Sequence, residues 1–145
     1  MDAPEVGKTL LGYDAILKVF LAYTAYEEIV TAAHKLNVNG VHHIGLNVRS
    51  NIGLADRFRK NEKLKKFLIA YSKAELGGKL ELMFTKKFND IVCVAFALRS
   101  IFAHGDLTPT AIGVTTKVER DLLVDLANDL LDYSDEVFSK CMNYT

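Results

Sequence analysis

Arg99 and His104 lie five residues apart in the string Leu98-Arg99-Ser100-Ile101-Phe102-Ala103-His104-Gly105, and their types and spacing could do chemistry. An arginine offers planar, paired donors that fit phosphate oxygens. A histidine titrates near neutrality and can give or take a proton. Cleavage of RNA by its own 2′-hydroxyl needs a base, an acid for the departing 5′-oxygen and positive charge on the phosphate. Two copies of this pair, brought together by a two-fold axis near Arg99, would supply all three without a metal or a cofactor. Other site types have no support: the chain lacks a Gly-rich phosphate loop after a strand, a His-Glu-x-x-His and a Gly-x-Ser-x-Gly. Cys93 and Cys141 are far apart and suggest neither a metal site nor a disulfide.

The pair needs a helix end to position it. Leu80, Phe84, Phe88, Ile91, Ala95, Leu98 and Phe102 recur at helical spacing, which predicts one long helix over 79–103 stopped by Gly105. Along an unbroken helix His104 would point about 140° away from Arg99. A left-handed cap at Gly105 would let the last turn swing the imidazole back. Val92 and Phe96 share the Arg99 face and would then form part of a dimer contact. The competing reading makes His104 an ordinary last-turn residue and pairs Arg99 with Asp90, Asp106 or the acidic C-terminal helix.

Three further helices are expected. The segment 13–36 is apolar around most of its circumference, with Ile16, Phe20, Tyr23, Glu27 and Val30 on one side and Leu17, Leu21 and Ala25 beside them, so it is a central helix or meets a partner. Residues 1–12 fall before it. Residues 37–53, with Gly40, Gly45, Gly53, four Asn and the pair His42-His43, read as a long loop in which a short hairpin stays open. Residues 54–72 read as an amphipathic helix ended by Gly77 and Gly78, residues 106–116 as a loop, and Lys117 opens a last helix burying Leu122, Leu126, Leu130, Tyr133 and Val137. The expected fold is all-α, a single domain over 1–145 built as an up-and-down bundle of four main helices.

Composition is that of a globular chain: 145 residues, half hydrophobic, a quarter charged, with 18 basic against 18 acidic residues. No overall field draws it to nucleic acid or to a membrane. No apolar run is long enough for export or a membrane span, and a cytoplasmic location is expected. Charge is nevertheless uneven. Residues 56–73 hold seven basic and two acidic side chains, and residues 117–145 hold three and seven. Either two helix faces attract each other across the bundle, or Arg57, Arg59, Lys60, Lys63, Lys65 and Lys66 form a phosphate track. His42 and His43 read as loop residues, His34 as a partly buried, hydrogen-bonded side chain, and Tyr23 and Tyr26 as core edges.

An Arg-x4-His pair at the end of the third of four helices, closed by Ala-His-Gly, resembles HEPN domains. The specific part of the likeness is confined to Leu98 through Gly105. The family's small helical bundles carry Arg-x4-6-His near the end of the third main helix and typically dimerise there. By this resemblance Arg99 and His104 are the functional positions and the helix bearing Arg99 makes a homodimer. The resemblance further implies RNA as the substrate and an antitoxin nucleotidyltransferase as a partner. The implied activity is that of a metal-independent endoribonuclease of a toxin-antitoxin or defence system. Active relatives usually have Asn, Asp or His after the Arg. Here Ser100 fills this substrate-positioning place with a shorter, uncharged group. The alternatives are an inactive HEPN module that binds nucleotide or RNA, and a plain helical interaction protein.

Overall fold

The computed structural model describes residues 3–38, 51–72, 74–85, 89–103 and 116–143. The described chain is all-helical: α1 (Ala3–Lys35), α2 (Ile52–Lys60), α3 (Glu62–Tyr71), α4 (Ala74–Phe84), α5 (Ile91–Ala103) and α6 (Lys117–Met142), with no strand among these residues. No described helix is long and apolar enough to cross a membrane.

Two expected helices are each split, and short polar residues explain both breaks. Asn61 is extended (φ −92°, ψ 95°), closing α2 while its side chain accepts a hydrogen bond from the Leu64 amide to start α3. A carboxamide at this place satisfies an orphan donor and stabilises the new helix by about 1 kcal/mol. Asp90 does the same for α5, its Oδ1 accepting from the amides of Val92 and Cys93 at 3.1 and 3.2 Å. Gly77 and Gly78 do not stop a helix. They lie inside α4.

Helix α1 reaches back to Ala3 and ends where Asn37 takes a left-handed conformation (φ 53°). The Val38 amide donates to the Ala33 carbonyl and the Asn37 amide to that of His34, each at 3.1 Å, so the last carbonyls are satisfied and the chain turns sharply. Val38 then packs with Ala33, Val137 and Cys141. The end of α1 therefore meets the end of α6, and these two long helices, which share the most extensive interface, run in the same direction. A simple up-and-down alternation of four helices would oppose them.

The main core joins Ile16, Val19 and Tyr23 of α1 to Phe58, Leu64, Leu68, Leu80 and Met83 of α2, α3 and α4, to Ile91 through Ile101 of α5, and to Leu122, Leu126 and Leu130 of α6. The expected α6 stripe is buried at all four aliphatic positions, with Tyr133 half-buried. Leu17 and Leu21 of α1 are exposed, as is Ala25, so this helix lies at the side of the bundle.

Arg59 stitches the shorter helices together. Its guanidinium is buried, donating from Nε to the Met83 carbonyl at 2.7 Å, from Nη1 to Asp56 at 2.8 Å, and from Nη2 to the Asn89 side chain. One charged fork thus ties α2 to the end of α4 and to the residues that begin α5, the helix carrying Arg99.

Candidate functional site around Arg99

Arg99 lies one turn before the end of α5, and α1 supplies the surface beneath it. Its guanidinium carbon is 5.2 Å from the Tyr23 ring centroid and 5.7 Å from that of Phe96. The two rings meet edge to face at 5.9 Å. Attraction between cation and ring faces holds the guanidinium against this aromatic floor. Phe20 of α1 and Phe102 of α5 make a second ring contact between the two helices, with centroids 5.1 Å apart.

Glu27 supplies the counter-charge. Its Oε2 is 3.7 Å from Arg99 Nη2, and it accepts a hydrogen bond from the Tyr23 hydroxyl at 3.0 Å. Four residues separate Tyr23 from Glu27, so one helix face presents both. Burial, followed by the Glu27 charge and the bond to it, pushes the Tyr23 phenol above its ordinary value of 10, so it stays protonated and donates. The Arg99 Nε is buried without a hydrogen-bond partner, while the side chain as a whole is 31 % exposed. A separation of 3.7 Å is an ion pair without a hydrogen bond, so the carboxylate only partly satisfies this fork.

Sequence reasoning selected Arg99 and missed both partners. Glu27 is not one of the three expected ion-pair partners. Asp90 instead caps α5, and Asp106 lies outside the described residues. Tyr23 and Tyr26 are buried core edges, as expected. The i,i+4 spacing of Tyr23 and Glu27 was visible in the sequence, but nothing there links them to a residue more than seventy positions away.

The other proposed residues divide clearly. Ser100 is half-buried on α5 beside Arg99. His104, His42 and His43 lie outside the described residues. Val92 is buried in the chain's own core and is not available to a dimer contact, whereas Phe96 is 36 % exposed. His34 is exposed at the end of α1, against the expectation of partial burial, because it lies away from the α6 seam.

Of the proposed phosphate track, Arg57 pairs with Asp125 of α6 at 2.6 Å and Arg59 is committed to the core. Lys65 stands 3.9 Å from Glu62. Lys60, Lys63 and Lys66 are exposed. The Arg57–Asp125 ion pair joins the basic α2 to the acidic α6. Asn51, the cap of α2, adds a hydrogen bond to Asp129 at 3.1 Å. Among the described residues no group of three His, Cys, Asp or Glu is placed to hold a metal ion. Compared with known proteins, the chain matches no family model, no curated protein and no solved structure.

Proposed function

We propose that the chain is a HEPN-like homodimer that acts on RNA, with Arg99 as the phosphate clamp and His104 as the general acid or base. The single observation that carries this reading is the state of Arg99. A half-exposed guanidinium rests on an aromatic floor, with an orphaned Nε and only a loose carboxylate partner. A phosphodiester would supply hydrogen-bond acceptors to the terminal guanidinium nitrogens, which the carboxylate at 3.7 Å does not bond.

In the cleavage reaction one His104 takes the proton of the 2′-hydroxyl, whose oxygen attacks phosphorus. The other His104 protonates the departing 5′-oxygen, leaving a cyclic phosphate and a free 5′-hydroxyl. Both Arg99 side chains neutralise the phosphate as negative charge builds. Ser100, beside the clamp, positions the substrate through its hydroxyl. The exposed Lys60, Lys63 and Lys66 hold the flanking backbone. An antitoxin nucleotidyltransferase is the expected partner, and the buried thiols Cys93 and Cys141, which are not joined in a disulfide, suit a reducing cytoplasm.

The test is incubation of the dimer with mixed RNAs in the presence of a chelator. Cleavage by the wild type, lowered at least about a hundredfold in Arg99→Ala and His104→Ala, is expected. Cleavage unaffected by Arg99→Ala would reassign the site. A second reading, an inactive module that binds RNA or nucleotide, is favoured by Ser100, which cannot carry charge. It predicts salt-sensitive binding with no cleavage.

A further inference from the structure

We infer that Glu27 is the resident counter-ion of the Arg99 site, held there by the Tyr23 hydroxyl, and that an incoming RNA phosphate displaces it. The inference rests on the reading of Arg99 as a phosphate-binding group and adds a residue that the Arg-x4-His pair does not contain.

Three features of the geometry support exchange over a permanent salt bridge. The Glu27 oxygen stands 3.7 Å from Nη2, beyond hydrogen-bond reach, so the guanidinium surrenders no bond when the carboxylate leaves. Both side chains are open to solvent, 31 % exposed for Arg99 and 42 % for Glu27, so the released carboxylate is hydrated at once. The arginine does not depend on Glu27 for its place. Tyr23 and Phe96 hold it from below, and α5 fixes its backbone.

The Tyr23 hydroxyl explains why a glutamate stays beside the guanidinium at all. Its bond to Oε2 at 3.0 Å fixes the carboxylate on the same ring that carries the cation. Without ligand, the cation on an apolar floor therefore keeps a negative neighbour. With RNA present, the same neighbour repels the phosphate. Such a residue lowers affinity for weak anions while leaving a multiply charged RNA able to compete, because RNA recovers the difference where its backbone meets other cations.

The experiment is titration of a short fluorescently labelled RNA, followed by anisotropy, with the full chain and its variants at low and high salt. Glu27→Gln keeps size and a hydrogen-bond acceptor but removes the charge, and it should bind about two- to fivefold more tightly at low salt, the range of a half-exposed ion pair. Tyr23→Phe keeps the aromatic floor and should shift affinity in the same direction by a smaller factor. In an Arg99→Ala background the gain from Glu27→Gln should be smaller than in the wild type, since the part that comes from freeing the guanidinium needs both members, and an equal gain in both backgrounds would overturn the counter-ion role. Circular dichroism on each variant establishes that it is folded.

Weaker or unchanged binding by Glu27→Gln, with Arg99→Ala still defective, would overturn the counter-ion role and leave the phosphate clamp standing. Wild-type affinity in Arg99→Ala would remove the clamp itself, and the inference with it.

Discussion

Replacing Arg59 by Ala should be the most damaging single change in the basic segment, and the reason is structural. The side chain is buried and its three donor groups reach Met83, Asp56 and Asn89. A buried hydrogen bond to a charged group contributes roughly 1.5–3 kcal/mol, and the three are cooperative, so they do not simply add. Truncation also leaves the Met83 carbonyl without this donor and a void where the aliphatic stem lay. The expected loss is about 2–4 kcal/mol, from the lost charged hydrogen bonds and the void, since the Asp56 carboxylate left behind is 40 % exposed and stays hydrated. Against a total stability of roughly 5–15 kcal/mol this is a large share. For a domain of this length the midpoint of thermal unfolding should fall by roughly 10 °C. Urea titration and thermal melts followed by circular dichroism measure both quantities. Lys60→Ala, exposed on the next position, is the control and should stay within about 0.5 kcal/mol of the wild type. A loss below about 1 kcal/mol for Arg59→Ala would refute the claim that this fork holds α2, α4 and the start of α5 together.

Two further outcomes are expected. Gly77 and Gly78 lie within α4, and an added Cβ at either meets nothing within 4 Å, so Gly77→Ala with Gly78→Ala should stabilise the protein by about 1–2 kcal/mol, measured by urea denaturation. Burial raises the Asp129 carboxyl above 3.8, the Asn51 bond partly offsets this, and Asp132 adds to it. A raised acid makes the folded state hold its proton longer than the unfolded state, so stability falls as pH rises from 3.8 through the raised value. Asp129→Asn keeps an acceptor for Asn51 and escapes that loss. Its melting temperature should exceed that of the wild type at neutral pH and converge with it below pH 3.8, and a difference independent of pH would contradict the assignment.

The all-helical class was legible because apolar residues recur at helical spacing almost throughout, and the α6 stripe from Leu122 to Val137 fell where periodicity placed it. Helix breaks were not legible to a pattern search. Asn61 and Asn89-Asp90 sit inside continuous apolar periodicity, and only their capping side chains reveal the interruption. Glycines misled in the opposite direction, since Gly77 and Gly78 are tolerated inside α4 at a modest cost. Arg99 could be selected from its neighbours in sequence, but Glu27 and Tyr23 could not, because their approach to it depends on how α5 packs across α1. The charge asymmetry was visible as well. Which of its cations face solvent depends on burial, and that removed Arg59 and engaged Arg57.

Salt dependence of RNA binding by the wild type and by Arg99→Ala is the most direct measurement. The wild type should bind with an affinity that falls steeply with salt. The folded variant should bind more weakly at every salt concentration, with a slope shallower by about one for each phosphate that the missing guanidinium no longer neutralises. Superimposable titrations of the two proteins would contradict the account.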